Sequence, residues 1–120
     1  MKNDLFSLAY PVYKKTLEVS GCSLNLSNEA PVTGYMVSLK GYEARVPLLD
    51  FNSGHVDQFI RNNLKLLYNR KCFIGTWIES DIVFIDISMN LQNKRASLAF
   101  AQDNGQIAIW DVLNKKEIDL

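Results

Sequence analysis

The chain has one histidine, His55, with Asp50 and Asp57 nearby, and an imidazole beside a carboxylate is a standard general acid–base pair. His55 lies in a polar stretch at the start of an expected helix, where a surface histidine without a chemical role is the simpler reading. No serine or cysteine stands in a nucleophile setting. There is no Gly-x-Ser-x-Gly, and Cys72 opens an apolar run that predicts a buried, inert thiol. Glu79, Asp81 and Asp86 straddle a tight turn and offer three carboxylates to a divalent ion. Glu79 and Asp81 belong to the turn itself, however, where acidic residues are common. Asp86 sits inside an apolar run, so once buried it must find donors such as the Ser88 hydroxyl or backbone amides, and a structural role is expected of it. Gly34, Gly41, Gly54, Gly75 and Gly105 are isolated and build no phosphate loop. No catalytic residue, metal site or cofactor is expected.

Binding chemistry is better represented. Tyr35, Trp77, Phe84 and Trp110 all fall on expected strands, and aromatic side chains on an exposed sheet face are typical anchors for a protein partner. Arg61 and Lys65, with Asn62, occupy the polar face of an expected helix, and Arg70 and Lys71 follow it. Such a face can lie against a phosphate backbone. The thirteen basic residues are balanced by thirteen acidic ones, for a net charge of zero. A nucleic-acid-binding domain usually carries a clear basic excess, so nucleic acid is the second reading and a protein partner the first.

The elements that must position these residues can be read from periodicity. Val12 to Val19 and Cys22 to Leu26 read as a short hairpin turning at Ser20-Gly21, with the first nine residues frayed. Polar residues 27–31 form a loop. Residues 1–30 are thus an N-terminal extension, and 31–120 a single domain. Tyr35 to Leu39 alternates, turns at Lys40-Gly41 and resumes with Ala44, Val46 and Leu48 on one face, which predicts a second hairpin. Pro47 lacks a backbone donor and places that strand's end at an edge. Val56, Phe59, Ile60, Leu64 and Leu67 form one apolar helical stripe with Ser53 as N-cap. Phe73 to Ile78 and Ile82 to Ile87 make another strand pair; Val83, Ile85 and Ile87 share one face, Phe84 and Asp86 the other. A second helix spans Asn93 to Asn104 and ends at Gly105, with Ala96, Ala99 and Phe100 inward. Gln106 to Trp110 is the last strand. The order (ββ)ββαββαβ, with mostly short connections, predicts an α+β fold: an antiparallel or mixed sheet carrying two helices on one face.

At 120 residues the chain fits one domain. A hydrophobic fraction of 48% with 22% charged residues is globular rather than disordered. Two cysteines far apart, Cys22 and Cys72, suit a reducing compartment. No run approaches a membrane span or a signal core, so a cytoplasmic protein without a membrane partner is expected. An edge strand near Pro47 is compatible with a homodimer.

Several blocks resemble a pattern seen in small proteins of unknown function encoded by bacteriophages and other bacterial mobile elements. They are Gly34-Tyr35-Met36-Val37-Ser38, Gly41-Tyr42-Glu43, Gly75-Thr76-Trp77-Ile78, Asp86-Ile87-Ser88, Ala99 and Gly105 through Asp111. The resemblance implies a genomic neighbourhood and no activity. Proteins of that neighbourhood often bind host machinery, so it implies a non-enzymatic accessory protein that modulates a host protein, for example by inhibiting a defence system such as a CRISPR-associated nuclease.

Overall fold

In the computed structural model, residues 4–120 are described, with side chains from Leu8 onward. The chain opens on a helix, α1 (Asp4–Val19), followed by strand β1 (Gly21–Leu24). The hairpin expected over Val12–Leu26 is therefore replaced by helix, turn and strand, and of the first nine residues 4–9 are helical, while 1–3 lie outside the described residues. Leu8, Val12 and Thr16 recur every fourth residue and are buried, a helical stripe. Pro11 hides it, because a proline inside a helix lacks one donor and is usually read as a breaker. Ser20, at φ 67°, ends the helix in the left-handed region.

The sheet is antiparallel throughout, in the order β1, β4 (Cys72–Glu79), β5 (Ile82–Leu91), β2 (Tyr35–Ser38), β6 (Ala108–Asp111) and β7 (Lys116–Asp119). Its centre is the hairpin of β4 (Cys72–Glu79) and β5 (Ile82–Leu91). The connecting residues Ser80 and Asp81 both have positive φ, as the favoured two-residue hairpin loop requires. β2 (Tyr35–Ser38) and β3 (Ala44–Pro47) do not pair with each other, contrary to the expected hairpin. Both pair antiparallel with β5, β2 along Ser88–Leu91 and β3 along Ile82–Ile85. They are two halves of one strand line, interrupted by an excursion over residues 39–43 that carries Gly41 at φ +90°. Leu39 N–H still donates to Ile87 O at 2.9 Å. Alternation plus a glycine describes a reversal and a bulged excursion equally well; the ten-residue length of β5, enough to hold both halves, selects the second.

α2 (Ser53–Asn62) is capped by Asn52 rather than Ser53. The Asn52 side chain accepts from Gly54 N–H at 2.8 Å, and Asn52 N–H donates to His55 Nδ1 at 3.2 Å. His55 thus fills the reciprocal half of a capping box, and its ring stacks on Phe51. We expect Asn52→Ala to cost about 1 kcal/mol in urea denaturation, and His55→Gln, which keeps an acceptor at the same position, to cost less. The apolar stripe is split at Asn63 into α2 and a short α3 (Leu64–Leu67). α4 (Lys94–Asp103) has Asn93 as N-cap and Gly105 at φ +67° beyond its end. It turns Ser97 and Ala101 inward, with Leu98 and Phe100 partly buried, and leaves Ala96 and Ala99 exposed, a rotation of the expected face. β6 (Ala108–Asp111) is followed by β7 (Lys116–Asp119), a strand where a polar tail was expected.

All the helices lie on one side of the sheet. α1, α2 and α3 pack on Ile74, Val83, Ile85 and Ile87; α4 packs on Val37 and Ile109. By strand alternation these positions share one face. The opposite face carries Ser23, Met36, Ser38, Gly75, Trp77, Phe84, Asp86, Ser88, Trp110 and Glu117, and among the described residues no helix packs over it.

Candidate functional site

The helix-free face is concave. Residues from β1 at one end of the sheet and from β6 and β7 at the other line a single cleft of about 1070 Å³. The interruption between β2 and β3 exposes a gap beside β5, and Asp86 occupies it. Asp86 is 5% exposed. The Ser38 hydroxyl donates to Asp86 Oδ2 at 2.8 Å, and the Ser38 and Ser88 hydroxyls lie 3.4 Å apart. Across the sheet, Gly75 faces Asp86 in register, and a Cβ at Gly75 would stand 2.7 Å from Asp86 Oδ1. Glycine is what makes room for the carboxylate. Among the described residues only Oδ2 of Asp86 accepts a hydrogen bond; Oδ1 has none and stays open to solvent, and the carboxylate lines the cleft.

Burial pushes the Asp86 carboxyl up to about 6; the Ser38 hydrogen bond opposes this, and the nearby charge of Glu43 adds to it. The charged residues lining the cleft are Glu43, Glu79, Asp86 and Glu117, all acidic. Glu43 pairs with Arg45 at 2.7 Å on the surface, an exposed contact of small energetic weight. The Arg45 guanidinium lies 5.1 Å from the centroid of Phe84, which stacks on Trp77 at 5.0 Å and 6°. Trp77 and Trp110 line the cleft, and Trp110 is 44% exposed.

Of the aromatic residues singled out from sequence, Trp77, Phe84 and Trp110 occupy the helix-free face. Tyr35 points to the other side and packs against the α4 cluster. The basic set Arg61, Lys65, Arg70 and Lys71 is exposed on α2, α3 and the turn before β4, away from the cleft. Arg61 is engaged by Asp57 at 2.8 Å. His55 and Asp86 are not brought together: His55 caps α2, on the helical side, and Asp86 faces away from it. Among the described residues no three metal-ligating side chains converge, because Asp86 stands well up β5 from the hairpin turn that holds Asp81, with Glu79 at the end of β4. Burial raises both thiols, Cys22 to about 11, so neither is a thiolate nucleophile near neutral pH.

Pattern reading missed Ser38, Glu43, Gly75 and Glu117 as members of this group. Two signals were available: an interior strand glycine, which marks a close approach, and an acid alone in an apolar strand. Among the described residues no helix is long and apolar enough to cross a membrane. No protein-family model, curated protein or solved structure matches the chain.

Proposed function

We propose that this chain acts without catalysis, by binding another protein through the helix-free face of its sheet, as an accessory factor of a phage or mobile element that modulates a host protein. The observation that carries the binding reading is the cleft itself: large aromatic side chains on a face no helix covers, with only acidic residues among its charged lining. Charge complementarity favours a basic segment of protein as the partner's contacting surface. A polyanionic nucleic acid would meet repulsion there. The blocks from Gly34 onward support the mobile-element origin.

The test compares the wild-type chain with Trp77→Ala and Trp110→Ala in affinity capture from a host lysate, each variant first shown to be folded by circular dichroism. Anchors of this type contribute about 2 kcal/mol or more, so each substitution is expected to reduce capture of the specific partner by at least about 30-fold. Tyr68→Ala, on the exposed helical side, leaves it unchanged. A partner retained by both tryptophan variants, or replaced by salt-sensitive nucleic acid, overturns the proposal.

A further inference from the structure

We propose that the cleft seats a lysine side chain of the protein partner, with its ammonium against Asp86 Oδ1 and its alkyl stem along Trp77, one strand over and two residues along from Asp86. This rests on the helix-free face being the binding surface. Two observations converge on it. Asp86 is nine-tenths buried and lines the cleft, yet its Oδ1, which lies over Gly75, receives no donor among the described residues. A buried carboxylate needs donors or a counter-charge. Its surroundings supply further acceptors: Ser38 and Ser88 lie beside it on β2 and β5, Ser23 and Gly75 on β1 and β4, and Glu43, Glu79 and Glu117 are the other charged residues lining the cleft, while the cation on this face, Arg45, is committed to Glu43 and the Phe84 ring.

The geometry favours lysine over arginine. A guanidinium binds best with its fork across both carboxylate oxygens, and Oδ2 is already taken by Ser38. An ammonium is a point charge with three donors. One suits Oδ1, and the others can serve a hydroxyl or Glu43. The stem of a lysine also buries readily along apolar walls while its head seeks polar partners, which matches Trp77 standing beside a buried acid.

The test titrates the full chain with N-acetyl-lysine methylamide, following the indole N–H resonance of Trp77, with that of Trp110, remote from Asp86 in the register, as the internal control. The ε-N-acetylated form, the arginine analogue and spermidine serve as comparisons. The lysine probe is expected to bind saturably with a dissociation constant on the order of millimolar, the scale one small ligand supports. The acetylated form should bind at least about tenfold more weakly, and Asp86→Asn should weaken the lysine probe by a similar factor. Equal binding of the acetylated form overturns the proposal on the wild-type chain alone, without any variant. Unchanged binding by folded Asp86→Asn overturns it too, as does a response to spermidine or the arginine analogue with none to the lysine probe. Loss of partner capture in the tryptophan variants, with no response to the lysine probe, would leave the docking face standing and remove the lysine seat.

Discussion

Replacing Asp86 with asparagine is expected to stabilise the protein at pH 7.5 by up to about 3 kcal/mol, an unusual result for a change at a buried polar residue. The reason is the carboxyl's shift from an ordinary 3.8 to about 6, each pKa unit being worth about 1.4 kcal/mol. A raised acid favours the folded state while it is protonated. The contribution is fully present below about pH 3.8 and is lost as pH rises through about 6. Wild-type stability therefore climbs relative to Asp86→Asn as pH falls from 7.5 to about 5, and the gap between the two narrows by about half. Asparagine keeps an oxygen for the Ser38 hydroxyl, so the local hydrogen bond survives. Asp111 behaves oppositely: the Asn114 side-chain amide and the backbone N–H groups of its turn hold its carboxyl below the usual range. Its contribution falls as the solution is acidified further, and it is common to both proteins. Denaturant titrations of both proteins at pH 7.5 and 5 decide the matter. A difference that is the same at both values would show that Asp86 is not held ionised at a cost. A carboxylate retained against its own stability is what a binding function would select.

A chain reduced to residues 31–120 is expected not to fold. Leu8, Val12 and Leu24 are buried in the main core with Val56, Ile60, Ile74 and Ile85, and three such side chains contribute about 1.5–3 kcal/mol each. Their sum approaches the total stability of an ordinary domain, about 5–15 kcal/mol. The truncation also strips β1 from the edge of β4 and removes Thr16, whose hydroxyl lies 2.5 Å from that of Thr76. Circular dichroism of the fragment should lack a cooperative thermal transition. In the full chain, Leu8→Ala alone should cost about 2–5 kcal/mol. A fragment that melts cooperatively with native-like spectra would show that 31–120 is a domain in its own right.

That second expectation reverses the sequence reading, which set residues 1–30 apart as an extension. The error has a local cause. Pro11 inside α1 removes one hydrogen bond, but burial of Leu8, Ala9, Val12 and Thr16 outweighs it, and burial is not visible in propensity. The same limit applies at the other end, where Lys116–Asp119 looked like polar tail and proved to be β7. An edge strand needs only backbone partners on one side, here β6, and one half-buried side chain, Ile118. α4 was placed correctly by its Asn93 cap and Gly105, yet its face was misassigned because small residues such as Ser97 and Ala99 carry little periodic signal.

The sequence by itself determined the class of the fold, the β4–β5 hairpin with its alternation, the position of α2, and the fact that Phe84 and Asp86 face away from Val83, Ile85 and Ile87. These follow from periods of two and 3.6 residues, which are local. Only the tertiary structure decided that β2 and β3 share one edge of β5, that α1 belongs to the core, that every helix lies on one side, and that Tyr35 parts from the other aromatics. It alone brought Ser38, Glu43, Gly75 and Asp86 together. The physical reason is that pairing partners along a sheet are chosen by matching lengths and burying surface between segments far apart in the chain, and no spacing within a segment records that choice.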